Sequence, residues 1–256
     1  MRRGNFKVRL LIGLAIVAFA FIRRCSQQET NPYTGRTQAI SLSPEQEIAI
    51  GLQSAPGMAQ QHGGLHPDNR YQATVDDVGN KLVNNSIANK TPYKYDFHLL
   101  ADEKTINAFA LPGGQIFITY ALFEKLQNID QLAGVLGHEI GHVLGKHSNE
   151  RITDSKYWQT LIMGAGAIDM GAVASQIGNG TLLKNGREDE LESDELGVKF
   201  MINAGYNPEE MIGVMKILKD AAGPNRVPEF QSTHPYPENR IENIKAAIEK
   251  YKNALN

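Results

Sequence analysis

The pattern of apolar and polar positions divides the chain into a short hydrophobic leader, a polar stretch and a long body. Leu10 to Ile22 is an uncharged apolar run. Residues 26–42 are polar, with Asn31-Pro32 and Thr34-Gly35 marking turns, which reads as a linker. Ser43-Pro44-Glu45-Gln46-Glu47 is a helix start, with Ser as the cap and Pro at the first helical position. Gly57 to Pro67 reads as a loop carrying His62 and His66. Tyr71 to Ala88 has helical spacing, with Val75, Val78, Leu82, Val83 and Ile87 apolar. Tyr95 to Leu100 alternates as a strand does, and Ala108–Leu111 and Gln115–Tyr120 read as strands around the Pro112-Gly113-Gly114 turn. From Ala121 the spacing is helical almost to the end, closing on an amphipathic helix with Ile241, Ile244, Ala247, Ile248 and Tyr251. No internal repeat is visible. A small sheet within a mainly helical body defines an α+β class.

Composition narrows the chemistry. Of 256 residues, 41% are hydrophobic, enough for one folded domain over residues 43–256. There are 26 basic and 28 acidic residues and no basic tract, so nothing points to nucleic acid. Cys25 is the sole cysteine, which excludes an intrachain disulfide and a cysteine zinc site. A bound metal must be held by His, Asp or Glu.

Residues 1–25 read as a signal anchor or signal peptide. Arg2, Arg3, Lys7 and Arg9 precede the apolar run, and Arg23-Arg24 follow it. The run spans about 20 Å as a helix, short of the roughly 30 Å hydrocarbon core. A short uncleaved anchor fits best, and the charge bias puts the body outside the membrane, on the periplasmic side. Cys25 follows two arginines rather than the small residues a lipidation signal wants, so it is read as an ordinary residue.

The chemistry centres on Leu132–Leu144, an apolar helix that contains His138-Glu139-Ile140-Gly141-His142. Two histidines four apart lie about 40° apart around a helix and about 6 Å apart along it, so both rings reach one cation. Glu139 lies on the flank, placed to take a proton from water rather than to ligate. That is the pattern of zinc-dependent hydrolysis. Burying two histidines and a glutamate in an apolar helix without partners would be costly, which favours a metal. A third histidine in His-Glu-x-x-His-x-x-Gly-x-x-His would fall on Ser148, and His147 is one residue early. The third ligand is then an acid from Glu188 to Gly197. Glu190 and Asp194 share a helical face, so one could ligate while the other orients a histidine. Spacing alone leaves Glu190 and Glu192 open.

At these residues the chain resembles the HtpX-like and CAAX-prenyl-protease-like gluzincins of peptidase family M48, closest to periplasmic members with a single anchor or a lipoprotein-like leader. Four ordered blocks carry the resemblance: Asn107 to Gly114, His138 to His142, Glu190 to Asp194, and Thr233-His234-Pro235 with Arg240. The resemblance implies a zincin-like domain with a small sheet over the active-site helix. It implies one Zn2+ per chain held by His138, His142 and Glu190, Glu139 as catalytic base, and Asp194 behind a ligand. It makes Asn107, Ala108, Phe109 and Ala110 a substrate-binding edge strand. His234 matches a histidine that holds some periplasmic members quiet, and Arg240 a basic residue near the site. The implied activity is endopeptidase cleavage of unfolded or misassembled proteins in the cell envelope, with membrane contact through the N-terminal segment. The competing function is a membrane-anchored chaperone or adaptor on the same fold. The chain departs from members with several spans, and Tyr157–Leu183, rich in Gly, Ala and Met, is read as a close-packed helix or flap.

Overall fold

A computed structural model describes residues 3–167, 170–221, 234 and 239–253. Thr233 and Pro235, which belong to the fourth motif block, lie outside the described residues, as does Asp169. Contacts divide the chain into two units: residues up to Leu42 with His147–Gly186, and Ser43–Lys146 with Arg187 onward.

The first unit is built on α1 (Arg3–Ser26), α6 (His147–Gly166) and the start of α7 (Gly171–Asn203). The stretch expected as a linker carries a hairpin, β1 (Gln28–Thr30) against β2 (Thr37–Ala39). Asn31 closes it, accepting from the Tyr33 and Thr34 amides at 2.9 and 3.4 Å. Strands of three residues are too short for alternation to register as a pattern. Asn149 then fixes the end of the segment, accepting from the Ser41 and Leu42 amides and donating to the Leu42 carbonyl. Residues 147–186 group with the N-terminal segment. No described helix is long and apolar enough to cross a membrane.

The second unit begins with α2 (Pro44–Gln61), capped reciprocally by Ser43 and Gln46. This helix contains Pro56 and continues to Gln61, through the first part of the loop expected over Gly57–Pro67. Ala55, Met58 and Ala59 pack on Leu100, Phe109 and Phe117, and that burial offsets the cost of proline and glycine in mid-helix. α3 (Asn69–Asn84) lays Val75, Val78 and Leu82 on the sheet, fully buried. The sheet has the order β3 (Asp96–Leu100), β5 (Gln115–Thr119), β4 (Ala108–Ala110). β3 runs parallel to β5 and β4 antiparallel, with Ala108 opposite Ile118. The central strand is buried throughout; β4 is an edge. Gly113 and Gly114 make the turn at φ 82° and 111°, conformations that disfavour side chains.

After the short α4 (Tyr120–Phe123) comes α5 (Ile129–Leu144), buried on almost every face. Lys146, at φ 54°, ends it, so His147 opens a new helix and does not extend the metal-facing row. α8 (Glu210–Ala221) packs on α5, and α9 (Arg240–Asn253) buries Ile244, Ala247 and Ile248.

Candidate metal centre

Two helices build the site because small residues let them touch. A Cβ on Gly141 would lie 2.9 Å from Ser193 Cα, and one on Gly137 would lie 3.3 Å from Gly197 Cα. Larger residues would push α5 and the second half of α7 apart. His138 and His142 on one helix then meet Glu190 and Asp194 on the other. The signal for this contact was in the sequence as two i, i+4 pairs of small residues, 137/141 and 193/197, unused in the motif reading.

His138, His142, Glu190 and His234 bring one ligand atom each into a common cluster. The three inward ring nitrogens lie 3.0, 3.2 and 3.4 Å apart. Glu190 oxygens lie 3.3, 3.3 and 3.0 Å from His138, His142 and His234. A tetrahedral ion with bonds of about 2.0–2.1 Å has donor–donor edges of about 3.3–3.4 Å, close to the three nitrogen–nitrogen separations, with one Glu190 oxygen near His138 and the other near His142 and His234.

Tautomers support the same conclusion. His138 Nδ1 donates to Asp194 Oδ1 at 2.9 Å, and His234 Nε2 donates to the Ala108 carbonyl at 3.2 Å. In neutral rings the remaining nitrogens, His138 Nε2 and His234 Nδ1, present lone pairs to each other. A positive charge between them, a proton or a metal ion, satisfies both. The electrostatics agree: burial works against the His138 imidazolium, but hydrogen bonds to Asp194 and Glu190 outweigh it and push its pKa up to about 9. Burial also works against Glu190, yet the neighbouring His234 and His142 hold its carboxyl well below the ordinary range. A site that favours positive charge this strongly suits a divalent ion. Among the sequence alternatives, Glu190 stands in the cluster and Glu192 does not.

Arg240, fully buried, forks onto Asp194 with both contacts at 2.7 Å, and its Nη1 lies 3.2 Å from Glu190 Oε2. Its guanidinium is thus committed to Asp194, behind His138, and to Glu190 itself. Burial raises the Asp194 carboxyl, but Arg240 together with His138 more than reverses this and holds it below the ordinary carboxylate range. Asp194→Asn should weaken metal affinity about 10–100-fold through the lost orientation of His138; competition with a chromophoric chelator measures it, and unchanged affinity would remove Asp194 from this role.

Glu139 is fully buried with no hydrogen bond to either carboxylate oxygen among the described residues; the nearest ring nitrogen is His234 Nε2 at 3.6 Å. Burial pushes its carboxyl up, with His234 and His138 pulling the other way. A carboxylate made more basic by burial suits a group that takes a proton from water.

The four residues of the edge-strand block divide by direction. The Asn107 carbonyl accepts from the Thr119 amide, and the Leu111 amide donates to the Gln115 carbonyl. Backbone groups alternate along a strand, so Asn107 and Phe109 face β5, while Ala108 and Ala110 face outward. His234 takes the outward Ala108 carbonyl.

A mainly helical α+β body, two histidines of a His-Glu-x-x-His helix and a glutamate from a later helix together define a gluzincin. The comparisons agree: the model of peptidase family M48 matches residues 69–248, and the chain belongs to that family. The chain is 30% identical over 249 residues to an Escherichia coli (strain K12) protein named beta-barrel assembly-enhancing protease, covering 91% of this chain and 49% of that one. It is 29% identical over 239 residues to the Schizosaccharomyces pombe mitochondrial metalloendopeptidase OMA1, covering 90% of this chain and 69% of that one. The chain thus spans about half the length of the bacterial relative.

Proposed function

We propose that this protein is a zinc-dependent endopeptidase of the cell envelope that cleaves unfolded or misassembled proteins. The observation that carries the reading is the convergence of ligand atoms from His138, His142, Glu190 and His234 beside a buried Glu139. Three imidazole nitrogens and a carboxylate are a donor set that suits zinc. The names of the relatives support the setting: one is an assembly-enhancing protease and another a metalloendopeptidase. α1, apolar over Leu10–Ile22 between basic ends, is the membrane contact.

Zinc in that site supplies Lewis acidity toward a carbonyl oxygen and toward water. Glu139 takes the proton of the attacking water on a carboxylate oxygen and returns it to the leaving amine. The outward groups of Ala108 and Ala110 hold the substrate backbone as an added strand. Asp194 and Arg240 keep His138 and Glu190 aimed. His234 closes the site twice, as the fourth donor and as the partner of the Ala108 carbonyl, and must leave before substrate enters.

The test is zinc stoichiometry together with digestion of an unfolded protein, with and without chelator, for the wild type and His234→Ala. Stoichiometric zinc and chelator-sensitive digestion are expected, and His234→Ala should digest several-fold faster. Absence of zinc or of digestion in both proteins would favour the chaperone or adaptor reading. A variant slower than wild type would make His234 a positive contributor to catalysis.

A further inference from the structure

Large hydrophobic residues exposed to solvent concentrate in the first unit. Of the seventeen among the described residues, thirteen fall there: nine on α1 and four, Met163 on α6, Met170 just before α7, and Val173 and Ile177 on α7. On α1 only the face of Gly13 and Ala20 is covered, leaving Leu11, Leu14, Phe19 and Ile22 open. A helix that is apolar all round belongs in a protein core or in lipid. The second arm has the same character: between Lys156 and Lys184, Asp169 is the single charged residue.

α6 runs antiparallel along α1. Arg9 Nε donates to the Ala167 carbonyl at 2.8 Å, a Cβ on Gly13 would lie 2.8 Å from the Gly164 carbonyl oxygen, and Arg24 pairs with Asp154. Close approach of helices at glycines is how helices associate where water gives no driving force. From Arg9 to Arg24 the rise is about 22 Å, so both helices carry an apolar belt of one thickness between the same two charged levels. At the Arg24 level a cleft of about 30 Å³ is lined by Arg23, Arg24, Lys156, Tyr157 and Thr160, with Phe19 on its apolar side. Arg24 also lies 4.8 Å over the Tyr157 ring. Basic and aromatic side chains at the end of an apolar belt are what a lipid headgroup layer attracts.

We propose that the α6–α7 hairpin is seated in a lipid bilayer beside α1, with the cleft of Arg23 and Lys156 facing the phosphate of an anionic phospholipid. This rests on the membrane contact assigned to α1. The belt is shorter than the roughly 30 Å hydrocarbon core, and snorkelling of the flanking arginines with local thinning accommodates the difference. Tyr157–Leu183 then has a role distinct from a flap over the cleft.

The single tryptophan, Trp158, whose ring packs on Gly178 of α7, is a built-in probe. The full chain is mixed with vesicles of phosphatidylcholine, with or without phosphatidylglycerol, floated, and quenched with phospholipids brominated at shallow or deep acyl positions. Trp158 should be quenched best by shallow bromines, and a Trp158→Phe, Met163→Trp variant by deeper ones. Arg23→Ala with Lys156→Ala should reduce partition into anionic vesicles about fivefold per charge removed and leave partition into neutral vesicles unchanged. Flotation without quenching of either tryptophan overturns the proposal and leaves the α1 anchor standing, including where crosslinking shows a second copy covering the hairpin. Failure to float overturns both. Unchanged partition of the double variant overturns the phosphate contact.

Discussion

Glu139→Gln is expected to keep its metal and lose about 10²–10⁴-fold in peptide hydrolysis, the range of a lost general base. The expectation follows from where the carboxylate stands. Glu139 is outside the four-donor cluster, so removing its charge removes no ligand. It is fully buried, with no hydrogen bond among the described residues to offset the cost of its charge. Glutamine has the same shape and no charge to desolvate, so stability should hold or rise slightly. Zinc content by mass spectrometry and hydrolysis of a quenched fluorescent peptide separate these effects. A variant that retains zinc and near-wild-type turnover removes Glu139 from the chemistry. A variant that loses zinc shows that the residue holds the site together instead.

The helix carrying His138 and His142 was legible because a metal site on one helix is a local pattern: the two ring positions follow from 3.6 residues per turn. The strand at 96–100 and the two strands around Pro112-Gly113-Gly114 were legible for the same reason, since turn residues and alternation are local. What joins the two halves of the site is not local. Glu190 lies 52 positions after His138, and spacing within its own acidic run could not separate it from Glu192. The contact of Gly137 and Gly141 with Gly197 and Ser193 decides which acid faces the histidines, and that is a packing fact. α2 shows the reverse case: a loop is expected from Gly57, yet the helix continues to Gln61 because Ala55, Met58 and Ala59 pack on the sheet core. The hairpin at 28–39 escaped notice because its strands have three residues each. Arg240 was visible only as a basic residue near the site. Its complete burial between two carboxylates depends on α9 arriving from the far end of the chain.

That burial makes Arg240→Ala the substitution with the largest expected effect on stability. The guanidinium forks onto Asp194 at 2.7 Å and reaches Glu190 at 3.2 Å. Both carboxylates are about 1% exposed, so neither gains water when the arginine goes. Removing one partner of a buried ion pair costs about 3–5 kcal/mol, because the other charge stays behind uncompensated. For a chain of this size each kcal/mol lowers Tm by about 2–4 °C, so the metal-free variant should melt on the order of 10 °C below wild type. Added zinc should narrow the gap, since a divalent ion at Glu190 and His138 compensates part of the charge the arginine neutralised. Arg240→Lys keeps the charge but cannot fork onto a carboxylate, and should fall between the two. Melting curves with chelator and with zinc measure all three. If metal-free Arg240→Ala melts within 2 °C of wild type, the carboxylates have found water or protons, and the buried network is not what holds α9 against the metal helices.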